Sequence, residues 1–267
     1  MNDGLANGNQ LISFSFTTFN AVDAEGNPCI KLSSVKPTGY ENNAAVTKKG
    51  GINGDYVMQV LATTGKMFES YSWVHKCSKV DDPTQAVWQE GYWKSTKGTV
   101  SADNDVLIRP GMGFWCNLNA RYNIQGASVL NSGEAVVDSY TIPLTNGNQV
   151  VGVPTSFSVP ISKIKPTGYE NNAAVTKKGG INGDYVMQVL KTDGKMFESY
   201  SWVHKCSKVD DPAQAVWQEG YWKSTKGTVS AANESYLPVG TAVWCNLNSR
   251  YNIQNAALVF PGMSELD

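Results

Sequence analysis

Histidine is scarce in this chain: there are two, His75 and His204, and each lies two residues before a cysteine, Cys77 and Cys206. On an extended strand that spacing puts both side chains on one face, where an imidazole and a thiolate could share a zinc ion. The pattern does not complete four ligands, because neither pair is accompanied by Cys-x-x-Cys or by a second histidine. A cysteine nucleophile needs a base and an orienting third group, which two neighbours on one face do not supply. Asp103-Asn104-Asp105 offers the clustered oxygens that calcium prefers, but the corresponding Ala232-Asn233-Glu234 has lost a carboxylate. Glu69 and Glu90 are the candidates for glycoside hydrolysis, which needs two acids about 5–10 Å apart. An active site copied almost verbatim within one short chain gains little, whereas a binding site gains avidity from duplication. The expectation is a protein without catalytic residues, metal or cofactor.

Aromatic residues are the other chemical resource. Trp73, Trp88, Trp93 and Trp115 recur as Trp202, Trp217, Trp222 and Trp244, and Tyr71, Tyr92 and Tyr122 recur as Tyr200, Tyr221 and Tyr251. In a β module such residues fill the core or form platforms for the apolar faces of sugar rings, with Gln89, Glu90 and Asn119 near enough in sequence to bond hydroxyls. Trp88 and Trp93 differ by an odd number, so on an unbroken strand one faces the core and the other faces out. The carbohydrate-binding set is therefore Trp88, Tyr92 and Trp93 with Trp217, Tyr221 and Trp222. Trp115, between Phe114 and Cys116, is assigned to the core.

These residues sit in a module written twice. Residues 36–61 (KPTGYENNAAVTKKGGINGDYVMQVL) return unchanged as 165–190, and the copies stay in step to Ala127 and Ala256. Two modules follow, residues 1–132 and 133–267, each near the common domain size. The charged fraction of 17% is below the usual value of about 25%, and the net charge is −1. No basic patch suits nucleic acid, and no apolar run suits membrane insertion. Residues 1–10 lack the basic and apolar regions of a signal peptide, so the expectation is a cytosolic chain or one whose leader has been removed. Asn, Ser, Thr, Gly and Trp richness with few charges favours a secreted or surface protein.

The elements that must position the candidates read as strands. Residues 11–19 alternate apolar and polar, residues 55–61 are rich in apolar and β-branched side chains, and residues 66–75 read as a hairpin partner after a turn at 62–65. Residues 87–95 form another aromatic strand in which Gly91 marks a bulge or a close contact. Phe114, Cys116 and Leu118 share one face, and Tyr122 and Ile124 share the inward face of the next strand. Asp81-Asp82 before Pro83 reads as a polar turn, and residues 41–53 as a loop. Seven or eight short strands per module without an amphipathic helix predict an all-β fold: two tandem, near-identical antiparallel β-sandwiches or small barrels. Cys77 with Cys116, and Cys206 with Cys245, are either disulfides or buried thiols. Cys29 has no counterpart. Asn131-Ser132-Gly133 separates the modules. The strand Ser139, Tyr140, Thr141, Ile142, Pro143 and Leu144 occurs only once in full, so one module is short of a strand, the segment is shared, or the chain is cut from a longer array. A missing strand exposes an edge for assembly.

Residues 106–130, with Pro110-Gly111 and Gly113-Phe114-Trp115, followed by Gly133-Glu134-Ala135-Val136 and Gly147-Asn148-Gln149, resemble repeat modules in secreted and surface proteins of gut-type bacteria. Residues 240–244 (GTAVW) depart from 111–115 (GMGFW). The resemblance implies a non-enzymatic surface or fibre-forming unit and assigns no functional residue. The expected function is a structural or adhesive unit of the bacterial exterior, with itself or neighbouring repeats as partners. A duplicated carbohydrate-binding module, with glycans as partners, is the alternative.

Overall fold

The computed structural model describes residues 3–14, 16–24, 26–61, 68–101, 105–130, 134–190, 197–230 and 232–266. The expected turn at 62–65, residues Asp103 and Asn104, and the expected boundary at 131–133 lie outside that set. The chain forms two compact units, Met1–Ala135 and Val136–Asp267. The division falls three residues beyond the boundary expected from sequence, because Glu134 and Ala135 pair with Thr17 and Phe16 of the first unit.

Each unit is built on one six-stranded antiparallel sheet. In the first, β1 (Gly8–Ser13), β2 (Asn53–Leu61), β3 (Phe68–Val74), β4 (Tyr92–Ser95), β5 (Gly98–Thr99) and β6 (Gly113–Leu118) lie in the order β1-β6-β2-β3-β4-β5. In the second, β7 (Gly147–Gly152), β8 (Gly180–Leu190), β9 (Phe197–Lys205), β10 (Tyr221–Ser224), β11 (Gly227–Thr228) and β12 (Ala242–Leu247) repeat it as β7-β12-β8-β9-β10-β11. The expected all-β architecture is present, but the sandwich and the closed barrel are not. The sheets are open at both ends among the described residues. Instead of a second sheet of equal size, small sheets of two to four strands, 3-10 turns and one-turn helices accompany each.

Period-2 patterning explains the inner face. Phe114, Cys116 and Leu118 of β6, Tyr56 and Met58 of β2, Tyr71 and Trp73 of β3 and Trp93 of β4 all join one buried cluster. The second unit repeats this with Val243, Cys245, Leu247, Tyr185, Met187, Tyr200, Trp202 and Trp222. Trp73 and Trp93 meet edge to face at 5.2 Å, and the Trp93 indole N–H donates to the Val35 carbonyl at 2.8 Å. Residues 41–53 are more ordered than a loop: Asn43 caps a single helical turn, Ala44–Thr47, by accepting from the Ala45 and Val46 N–H groups. Asp82 caps the 3-10 turn Pro83–Gln85 in the same way, which accounts for the Asp-Asp-Pro sequence.

The single full strand has a plain explanation. Tyr140–Pro143 pairs with Ala257–Phe260 of its own unit, and in the first unit Asp3–Gly4 takes the same place against Ser128–Leu130. Neither unit lacks the strand. Tyr140–Pro143 is the outer strand of its three-stranded sheet, paired with another strand on one side only among the described residues, and Pro143 contributes no donor there.

Candidate functional site

The site grows from an irregularity in β2. Asn53 pairs with Val74 and Val57 with Ser72, so β2 carries two more residues than β3 between these pairs. Gly54, at φ +82°, makes this bulge possible. Its effect is to bury two consecutive residues, Asp55 and Tyr56. Asp55 then meets His75: His75 Nε2 lies 2.9 Å from Oδ2 and 3.1 Å from Oδ1, and both side chains are fully buried. Tyr40 stacks on the imidazole at 4.0 Å, and Trp88 closes the cluster at 5.0 Å from Tyr40 and 5.4 Å from His75. His204, Asp184, Tyr169 and Trp217 repeat the arrangement, with His204 Nε2 2.8 Å from Asp184 Oδ2.

This Asp–His pair resembles part of a hydrolytic apparatus, but both side chains are fully buried in each unit. Its second nitrogen, Nδ1 of His75 and of His204, has no hydrogen-bond partner among the described residues. The pair pins the bulge to the neighbouring strand. Burial, with Glu41 nearby, pushes the Tyr40 phenol up to about 12, and burial with Glu170 does the same to Tyr169.

The other chemical candidates separate. No disulfide joins Cys77 to Cys116 or Cys206 to Cys245. Cys116 is buried mid-strand opposite Met58 and Gln10, whereas Cys77 is half-buried beyond the end of β3, bridged to Trp88. Burial raises the Cys116 thiol to about 12 and also raises Cys245. Glu69 is held by Lys97 and Tyr71, while Glu90 pairs with Lys36. Asp105 accepts from the Ser33 N–H, and Glu234 from that of Ser162. Among the described residues no three His, Cys, Asp or Glu gather as metal ligands.

The aromatic candidates are redistributed. Trp93 and Trp222 are 1% exposed and belong to the core, not to an outward platform. Residues 87–95 are not one strand. Trp88 bridges to Cys77, Gly91 presses on the Trp73 ring, and only Tyr92–Ser95 joins the sheet. Trp88 and Trp217 are half-buried in the histidine clusters. Tyr92 and Tyr221 do face out, 38% and 37% exposed.

Trp115, expected in the core, lies with its copy Trp244 half-buried on the opposite face. That outer face carries a row of hydrogen-bonding groups. Trp115 aligns with Gln59, and Asn117 with Asn9 and Val57, then Ser72 and Lys94 across the sheet. Asn9 Oδ1 accepts from the Asn117 amide at 2.6 Å and from the Trp115 indole at 3.3 Å, and the Gln59 amide donates to Ser70 at 2.8 Å. The second unit preserves this set: Asn148 accepts from Asn246 at 2.7 Å and Trp244 at 3.4 Å, and Gln188 donates to Ser199 at 3.0 Å. The repeated Asn-Gly-Asn-Gln sequence was the available signal. Gln10 and Gln149 close that turn by bonding both backbone groups of Ala6 and Thr145.

At the bulge end of the same face in the second unit lies an open groove of about 400 Å³, lined by Gly179–Asn182, Val203–Lys205, Tyr221 and Lys223. Asn53, Lys76, Tyr92 and Lys94 are the matching residues of the first unit. Aromatic edges, amides and lysines on a fixed sheet can stack against a ring and bond its hydroxyls without chemistry. The chain matches no protein family, no curated protein and no solved structure.

Proposed function

We propose that this chain is a non-enzymatic adhesive protein of the bacterial exterior whose two modules each bind carbohydrate on the outer face of the six-stranded sheet. The observation that carries this reading is the duplicated outward set: Trp115, Asn117, Asn9 and Gln59, with Trp244, Asn246, Asn148 and Gln188, bonded alike in both units. A half-buried tryptophan among amides has an apolar edge to cover and polar neighbours that fix the orientation of what covers it. Two equal sites on one chain suit a multivalent surface, where linked binding raises avidity without new contacts. Screening immobilised glycans tests the reading. Binding that is lost in Trp115→Ala/Trp244→Ala, with the fold kept, supports it; no glycan bound, or binding unaffected by that double change, refutes it.

Self-association is the second reading, favoured by the edge position of Tyr140–Pro143 in its sheet. Light scattering over a range of concentrations decides it. Mass that grows with concentration and falls on Ile142→Lys supports assembly there, and a strict monomer refutes it.

A further inference from the structure

The groove beside the bulge differs in chemistry from the tryptophan–amide row on the same face. Its lining includes two lysines, Lys205 and Lys223, a tyrosine and Asn182, and no carboxylate. Neither lysine pairs with an acid among the described residues, unlike Lys177, held by Asp210, and Lys226, held by Glu198. Lys76 and Lys94 of the first unit are likewise unpaired with acids, although Lys48, Lys36 and Lys97 all have carboxylate partners. In a chain of net charge −1, two lysines without carboxylate partners among the described residues flank an exposed phenol ring: Tyr221 pairs with Val203, Lys223 with Ser201 on one side, and Lys205 lies two residues beyond Val203 on the other.

The backbone keeps the groove open. Gly180 has φ +96°, and a Cβ there would come within 2.6 Å of the Lys205 backbone. Gly51 stands in the same position, with a Cβ 2.7 Å from the Lys76 backbone. A side chain at either glycine would be strained and would crowd the strand that carries the lysine. About 400 Å³ suits a small ligand, not a protein segment.

We infer that this groove binds a saccharide with several carboxylates, with a sugar ring against Tyr221 and carboxylates meeting Lys205 on one side of it and Lys223 on the other, and with Tyr92, Lys76 and Lys94 doing the same in the first module. This rests on the carbohydrate reading and extends the tryptophan–amide site of the same face toward acidic sugars, so that the ligand still depends on Trp244 and Trp115. The phenol edge orients the ring, Asn182 offers a donor and an acceptor to hydroxyls, and the lysines supply charge-assisted hydrogen bonds to the carboxylates.

The test is calorimetric titration of the whole chain with trigalacturonic acid and, separately, with the neutral galactose trimer. The acidic trimer binds, the neutral one binds at least about tenfold more weakly, and Lys94→Met/Lys223→Met lowers acidic binding by about tenfold or more. Affinity also falls when salt is raised from about 50 mM to about 500 mM, because the pairs are exposed. Exposed lysines leave the fold intact, which circular dichroism verifies. Equal binding of both trimers, or acidic binding unchanged in the lysine variant, overturns the acidic assignment and leaves the carbohydrate reading standing. Failure of the acidic trimer, with neutral glycans captured through Trp115 and Trp244, has the same meaning. Failure of every glycan overturns both.

Discussion

Replacing Asp55 with alanine isolates the feature that shapes the outer face. The carboxylate is fully buried, holds His75 through two contacts of 2.9 and 3.1 Å, and sits at the bulge. Without it the imidazole stays buried with neither ring nitrogen partnered, since Nδ1 already has none among the described residues. Leaving a buried polar group unpartnered costs about 1–3 kcal/mol, a sizeable share of the roughly 5–15 kcal/mol that holds a domain folded. The second unit, with Asp184 and His204 untouched, is an internal reference. Urea titration followed by hydrogen-exchange mass spectrometry can read each unit separately. Residues 36–61 and 165–190 are identical, so the reporting peptides must come from β6 and β12, which differ. Protection in β6 should collapse at lower urea while β12 keeps its midpoint. Asp55→Ala/His75→Phe, which removes both polar partners, should recover much of the loss. A β6 shift worth less than about 1 kcal/mol, the net worth of an ordinary hydrogen bond, would refute this account of the bulge.

Three further outcomes follow from the packing. Gly91→Ala brings a Cβ within 2.7 Å of Trp73 Cε2 and closer still to Cζ2, so it should destabilise the first unit by about 1–3 kcal/mol, read as an earlier β6 transition; no change would mean that the Trp73 ring is free to move. Native alkylation should modify Cys77 and Cys206, and Cys116 and Cys245 only after denaturation, because burial raises the latter thiols and removes them from solvent; rapid native labelling of Cys116 would contradict its place in the core. In alkaline titration at 295 nm, the step near the ordinary phenol value of about 10 should exclude at least Tyr40, Tyr56, Tyr71, Tyr169, Tyr185 and Tyr200, all raised chiefly by burial. Their raised folded-state values mean stability fully present below about 10 and lost as pH rises through about 12 for Tyr40 and Tyr169; full ionisation of all tyrosines without unfolding would refute that burial.

Much of the fold was legible because it depends on local pattern. Alternation in 113–118 places Phe114, Cys116 and Leu118 inward, and the Asp-Asp-Pro turn and the close approach at Gly91 were both readable from residue type. The same alternation already put Trp115 on the outer face; assigning it to the core followed its size and neighbours instead of its parity. Trp88 and Trp93 went astray for the opposite reason. Parity was applied across residues 87–95 as one strand, but the chain breaks at Gly91 to clear Trp73. The Asp55–His75 pair was invisible because it depends on a bulge, which changes which residues face inward without altering composition. The strand at 139–144 suggests from sequence that the first module is short of one, because that module fills the place with Asp3–Gly4, a dissimilar sequence. Cysteine spacing in sequence carried no information on distance, since Cys77 and Cys116 end up on different elements.

The most direct measurement is the stoichiometry of glycan binding, by calorimetric titration of the intact chain with a glycan selected in the screen. Two equivalent outer faces predict two sites per chain, one after Trp115→Ala and none after Trp115→Ala/Trp244→Ala, with Trp88→Phe leaving the count at two. One site in the unmodified chain, or two that survive the double substitution, would contradict the claim that the repeated sheet face is what the protein binds with.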